Sequence, residues 1–190
     1  MDANELLERY AAGERDFRDT DLFRADLSNA ELSGVSFFRT SLFGANLFRA
    51  KLIGCDFFRS TLIGANLYCA NLSGANLTGA NLTGANLSGA DLSGADLTDA
   101  DLGGADLSYA TLHYTDFTGA NLFRAMMVDA KLNHAKLVRV RLRGANLNGA
   151  IAEGATFSKV MGLSEEAKQD LLDRGAVFQE LTEAVSSPSA

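Results

Sequence analysis

The sequence of 190 residues holds one proline (Pro188), no tryptophan, two cysteines and two histidines. Each shortage excludes something. Cys55 and Cys69 alone do not make a disulfide framework. His113 and His134 stand apart from any grouping of Cys or carboxylates, whereas a metal site wants three or four converging ligands. No apolar run reaches the length of about 18 residues that a membrane span needs. The start, MDANELLERYAAGERDF, lacks the basic opening and apolar stretch of a secretory signal, so a soluble cytoplasmic protein is expected. Bases are fewer than acids. The net charge of -7 argues against general binding to nucleic acid or to an anionic membrane.

What the chain does have is a period of five. Stepping by five from Phe17 to Phe157 gives 29 positions with no insertion or deletion. All are Leu or Phe except Met127 and Ala152. Two residues before each stands a small residue, mostly Ala, with Arg15 at the array's edge the exception, and the residue between is mostly Asn, Asp, Ser, Thr or Lys. In an extended backbone alternate side chains point to opposite faces. The small residue and the Leu therefore point inward together, and the polar residue points out. The last two residues, often Ser/Thr-Gly, must turn the chain.

The number of sides is also written in the sequence. Phe occupies the central position at 17, 37, 57, 117 and 157, and these differ by multiples of 20. Four units per turn make a square coil in which residues 20 apart stack. With a spacing of about 4.8 Å between coils, the array is a rod roughly 35 Å tall. Leu and Phe columns fill the shaft, and Ala is required because anything larger would overpack it. An all-β solenoid of about seven coils is the predicted fold class.

The string A(N/D)LXX, from about Ala25 to Phe157, resembles the pentapeptide-repeat proteins. The resemblance implies a right-handed quadrilateral β-helix. Capping elements are expected, because a solenoid exposes core and backbone at its ends. Asp2 followed by Glu5 resembles a capping box ahead of a helix over residues 3–12, stopped by Gly13. Ser164 with Glu165 and Glu166 starts a second helix, stopped by Gly175. The expected division is a capping helix at 1–14, the β-helix at 15–159, a capping helix at 160–178 and a flexible tail at 179–190.

No catalytic constellation is present in the sequence. Cys55 takes a small inward position in place of Ala, and Cys69 lies at a corner. No Cys-His or Ser-His-Asp pairing is suggested. The Gly-rich stretch from 70 to 105 repeats because corners repeat, and no helix start or Lys follows it as in a phosphate loop. A non-enzymatic protein without cofactor or metal is expected.

Two outward features remain. The early coils carry Phe23, Phe38, Phe43, Phe48, Ile53, Phe58, Ile63 and Tyr68 where later coils mostly carry Ser or Thr. Arg24, Arg39, Arg49 and Arg59 adjoin them. Exposed aromatics with Arg are the composition of interface hot spots, although Arg over Phe is also local cation–π packing. The second feature is charge zoning. Asp91, Asp96, Asp101 and Asp106 ring one coil, whereas residues 121–159 carry seven bases against two acids. That basic stretch includes Lys136, Arg139 and Arg141, and Lys136 is expected to pair with Asp116 one coil away. The leading expectation is a scaffold or regulator that binds a partner protein through Phe38, Arg39, Phe43, Phe48, Arg49, Phe58, Arg59 and Tyr68. The basic block at 124–143 is expected to provide a secondary contact. No direct nucleic-acid or membrane contact is expected, and capped ends favour a monomer. The resemblance also implies an alternative. Some pentapeptide-repeat proteins are acidic rods that imitate duplex DNA and inhibit or protect DNA gyrase, usually as dimers. The acidic ring fits that, and the basic stretch departs from it.

Overall fold

The structure, a computed structural model, describes residues 1–179. Its local unit is a turn. The N–H of most small residues donates to the carbonyl of the preceding central residue, as from Ala75 to Leu72 and from Ala90 to Leu87, both at 3.0 Å. The second residue inside each turn has a positive φ, 65° at Gly74 and 66° at Gly94. A type II turn demands that value, and Gly reaches it without steric cost. The outward polar residue holds the turn from the other side. Asn71 Oδ1 accepts from the Ser73 N–H at 3.0 Å, and Asp91 Oδ1 from the Ser93 N–H at 2.9 Å.

Units then stack. The Leu72 N–H donates to the Asp91 carbonyl at 2.7 Å, and the Asn71 N–H to the Ala50 carbonyl at 2.9 Å. Parallel bridges join residues 20 apart, from Asp16↔Ser36 to Arg141↔Met161. The strands β1 (Lys136–Val138) and β2 (Thr156–Ser158) pair with the same offset. Four units therefore make one coil. Side 1 carries the units centred on Phe17, Phe37 and Phe57, and side 2 those on Leu22 and Leu42. Side 3 carries Leu27 and Leu47, and side 4 carries Leu32 and Leu52.

The shaft is filled. The central residues from Phe17 to Phe157 are buried, with the small Ala columns beside them. On side 1 Phe17, Phe37 and Phe57 stack with ring centroids 6.3 and 5.2 Å apart. Polar atoms at small positions find backbone partners. Thr40 and Thr115 donate to the Phe17 and Leu92 carbonyls, each at 2.8 Å. Cys55 Sγ donates to the Leu32 carbonyl at 3.0 Å.

Both ends are closed. Helix α1 (Ala3–Ala11) begins at Asp2, whose side chain accepts from the Glu5 N–H at 2.9 Å. Its Leu6 is fully buried, and Arg9 sits over Phe17 at 5.4 Å while bonding Glu14 at 2.6 Å. The first coil's outward positions are Asp16, Asp21, Asp26 and Glu31, a charged rim of the kind that discourages edge-to-edge pairing. Helix α2 (Glu165–Asp173) is capped by Ser164, buries Leu171 and ends before Gly175 at φ 87°.

The C-terminal end holds a correction. The chain does not stop at a helix but returns as β3 (Val177–Phe178), parallel to β2. Phe178 stacks on Phe157 at 4.8 Å, and the Gln179 N–H donates to the Phe157 carbonyl at 2.8 Å. Gln179 thus belongs to the ladder rather than to the tail expected from 179. The rest of that tail, 180–190, lies outside the described residues. On side 3 Arg174 Nη1 reaches the Leu147 and Ala150 carbonyls at 3.5 and 3.3 Å, closing the last coil.

Candidate functional site

The stack determines which outward residues meet. Phe38 and Phe58 lie on side 1, with centroids 5.3 Å apart and planes 9° from parallel. Phe23 and Phe43 stack on side 2 at 5.6 Å. Phe48 and Tyr68 stack at 5.9 Å on side 3, across the rod from Phe38. The early aromatics therefore form two surfaces. One spans side 2, with Phe38, Arg39, Phe58 and Arg59 at its corner with side 1 and Phe43 at its corner with side 3. The other holds Phe48, Arg49 and Tyr68. Phe23 and Phe43 are 55% and 38% exposed, while Phe38, Phe48 and Phe58 are half-buried against their neighbours. Stacking one coil above another thus hides part of each ring and leaves the rest as a ribbed apolar strip.

The arginines occupy an unexpected backbone state. Arg24, Arg39, Arg49 and Arg59 all sit at the second turn position, with φ of 53°, 54°, 53° and 52°. Side chains with a Cβ pay for that left-handed conformation, and Gly does not. Arg lacks the short side-chain hydrogen bond that eases Asn or Asp into this region. The local contacts are modest. Arg49 and Arg59 lie over Phe48 and Phe58 at 5.0 and 5.2 Å, and Arg39 pairs with Asp19 at 3.5 Å on an exposed corner. Among the described residues the same state recurs at eleven other non-Gly positions, Cys69, Tyr109 and Arg139 among them, so the turn imposes it on whichever residue stands there. The sequence carries a trace of this, because the position is Gly in most middle coils, but periodicity alone does not expose it.

The charged residues show a different logic. Asp91, Asp96, Asp101 and Asp106 lie on four different sides, and each accepts the N–H two residues ahead at 2.9–3.0 Å. Asn does the same one coil earlier, as at Asn76 and Asn86. The acidic ring is therefore turn chemistry first. Lys136 bonds Asp116 at 2.9 Å. Partial burial alone would raise the Asp116 carboxyl, but hydrogen bonds from Thr118 and Lys136 outweigh it and hold it low. Lys136, Arg139 and Arg141 share the side 1 to side 2 edge with Phe38 and Arg39, five coils further along by their numbers.

The remaining candidates are separate. Cys55 is buried and its thiol is pushed up to about 11 by desolvation, whereas Cys69 is exposed. His134 stacks on Tyr114 at 5.0 Å. Among the described residues no three of His, Cys, Asp and Glu converge to hold a metal ion. No helix among them is long and apolar enough to cross a membrane.

A rod of stacked five-residue units around a filled shaft is a repeat solenoid, whose working surface is its outside. The family model for pentapeptide repeats matches eight copies at residues 16–39, 40–79, 85–124 and 125–160, and the chain belongs to that family. Among solved structures it is similar to the pentapeptide-repeat protein Rfr23 from the cyanobacterium Cyanothece 51142. That match has 25% identity and a TM-score of 0.55, covering 68% of this chain and 91% of that one. HetL from Nostoc sp. strain PCC 7120, a pentapeptide-repeat protein involved in heterocyst differentiation regulation, is 31% identical over 82% of this chain and 94% of its own, with a TM-score of 0.40. QnrB1, a plasmid-mediated fluoroquinolone resistance protein, shares the fold at 18% identity and a TM-score of 0.56, covering 84% and 89%. No curated protein sequence matches the chain.

Proposed function

We propose that this protein is a cytoplasmic, non-enzymatic scaffold or regulator that docks a partner protein on the corner between sides 1 and 2. The coils of 15–159, read as right-handed and about seven in number, are the binding body. The terminal elements are caps that keep it monomeric. One observation carries the reading: Phe38 and Phe58 stack at 5.3 Å on an outward corner, with Arg39 and Arg59 next to them at φ 54° and 52°. Turn formation prefers Gly at that position and does not explain two arginines there, whereas aromatic anchors beside Arg are what hot spots use. Imitation of DNA is the weaker reading. The acids of the ring are spread over four sides and engaged by turn N–H groups.

The test compares two double variants in pulldowns from native extract, with circular dichroism to check folding. Phe38→Asp/Phe58→Asp is expected to lose the partner. Phe48→Asp/Tyr68→Asp, on the far side, is expected to keep it. Retention by the first variant, with its fold intact, overturns the assignment. Inhibition of DNA supercoiling by the intact protein at micromolar concentration, lost in Asp96→Lys/Asp101→Lys, favours the gyrase reading instead.

A further inference from the structure

A second surface lies on side 2 near the C-terminal end, away from the early aromatics. Gly103 is the only Gly in the array directly after a central residue, where the same column carries Thr83 one coil before and Phe123 one coil after. Its φ is not positive, so the backbone does not require Gly there. Without a side chain at 103, two clefts meet over Phe123, which is 39% exposed. Met161, 51% exposed, closes the apolar floor. Arg124, Arg141 and Arg143 line the walls, and among the described residues none of them has an ion-pair partner. Asp101 is the carboxylate at the mouth, and its Oδ1 already accepts from the Gly103 N–H at 3.0 Å and from Asn121 Nδ2 at 2.9 Å.

We propose that this groove binds a short acidic peptide segment bearing an apolar side chain. Three guanidiniums without an ion pair among the described residues, Arg124 lying over Phe123 at 5.1 Å, are a local inversion of sign in a chain of net charge -7, and carboxylates on a ligand complement them. Phe123 and Met161 supply an apolar seat between the cations, which a polyphosphate backbone does not use. The ring of Asp91, Asp96, Asp101 and Asp106 stands at the N-terminal end of the groove and repels a long polyanion running down the side. From Gly103 to Met161 is about three coils, or about 14 Å, which an extended segment of about four residues spans.

The probe is a fluorescein-labelled hexapeptide, Asp-Glu-Leu-Phe-Glu-Asp, titrated with the full chain and read by fluorescence anisotropy at two salt concentrations. Saturable binding that weakens with salt is expected. Arg141→Glu/Arg143→Glu is expected to weaken it about tenfold or more. Gly103→Phe fills the notch without changing charge, copies a residue the column already carries, and is expected to do the same. Phe38→Asp/Phe58→Asp is expected to bind the peptide normally, so this site and the proposed partner corner fail separately. The inference is overturned by any of four results. These are no binding at millimolar peptide, equal binding of a control with Ser-Ser in place of Leu-Phe, unchanged binding by folded Gly103→Phe, and tighter binding of a single-stranded DNA 12-mer.

Discussion

Arg139 isolates the cost of the strained corners. It has φ 56°, and among the described residues it makes no ion pair and covers no aromatic ring. Its N–H donates to the Ser158 carbonyl at 2.8 Å, a bond that Gly would keep. Replacing it should therefore remove a left-handed penalty of about 1–2 kcal/mol. The extra freedom of Gly in the unfolded chain returns about 0.5–1 kcal/mol of that. The net expectation for Arg139→Gly is a gain of about 0.5–1 kcal/mol, or a melting temperature higher by about 1–4 °C for a chain of this size. The reciprocal variant is Gly94→Arg, at φ 66° with open space for 4 Å around the point where a Cβ would stand. It should lose a similar amount. Gly119→Arg should lose more, because its Cβ would overlap the Asp99 carboxylate. Calorimetric melting of the three variants is the assay. If Arg139→Gly melts lower and Gly94→Arg melts unchanged, backbone strain is not what selects Gly at the corners. The strain argument for Arg39 and Arg59 then fails with it.

Three further outcomes follow from the same geometry. Ala90 is fully buried, and Ala90→Phe should overpack the shaft by about 1–3 kcal/mol or more. Ser88→Phe, on the column that already carries Phe48 and Tyr68, should be nearly neutral in urea unfolding; equal losses would show the inward and outward assignment to be wrong. With Cys55 buried and its thiol raised to about 11, native protein should react with a thiol reagent at Cys69 alone, and at both cysteines in denaturant. Because the unfolded thiol ionises near 9.0, Cys55 should also withdraw stability as pH climbs from about 9 to 11; two thiols reacting in the native state would contradict its burial. Asp16, Asp26 and Asp116 are held below the ordinary carboxylate range, so the stability they add is present above about pH 4 and is lost as pH falls below it. The urea midpoint should drop between about pH 5 and pH 3, and a flat profile would remove these carboxyls from the account.

The rod was legible because its grammar is repetitive. Phe17, Phe37 and Phe57 state the period of 20, and every outward position follows from it. Asp116 and Lys136 could be paired from their numbers alone. The C-terminal closure was not legible. Val177 and Phe178 carry no five-residue signature, and they pair with Thr156 and Phe157 at an offset of 21, because the chain detours through α2 before returning. The candidate site was half legible. Its residues stood out by composition and their columns followed from the period of 20, but how far each ring is buried and the positive φ of the arginines required the structure.

The four-unit coil also makes the rod a screw with a fixed pitch. An insertion of 20 residues between the early aromatics and the Phe123 groove would lengthen their separation by one coil, about 4.8 Å, and leave both facing as before. An insertion of five would barely lengthen it but would turn one surface a quarter revolution from the other. Distance and bearing between the two proposed surfaces are therefore adjustable in separate steps by whole-unit edits, without changing a residue of either.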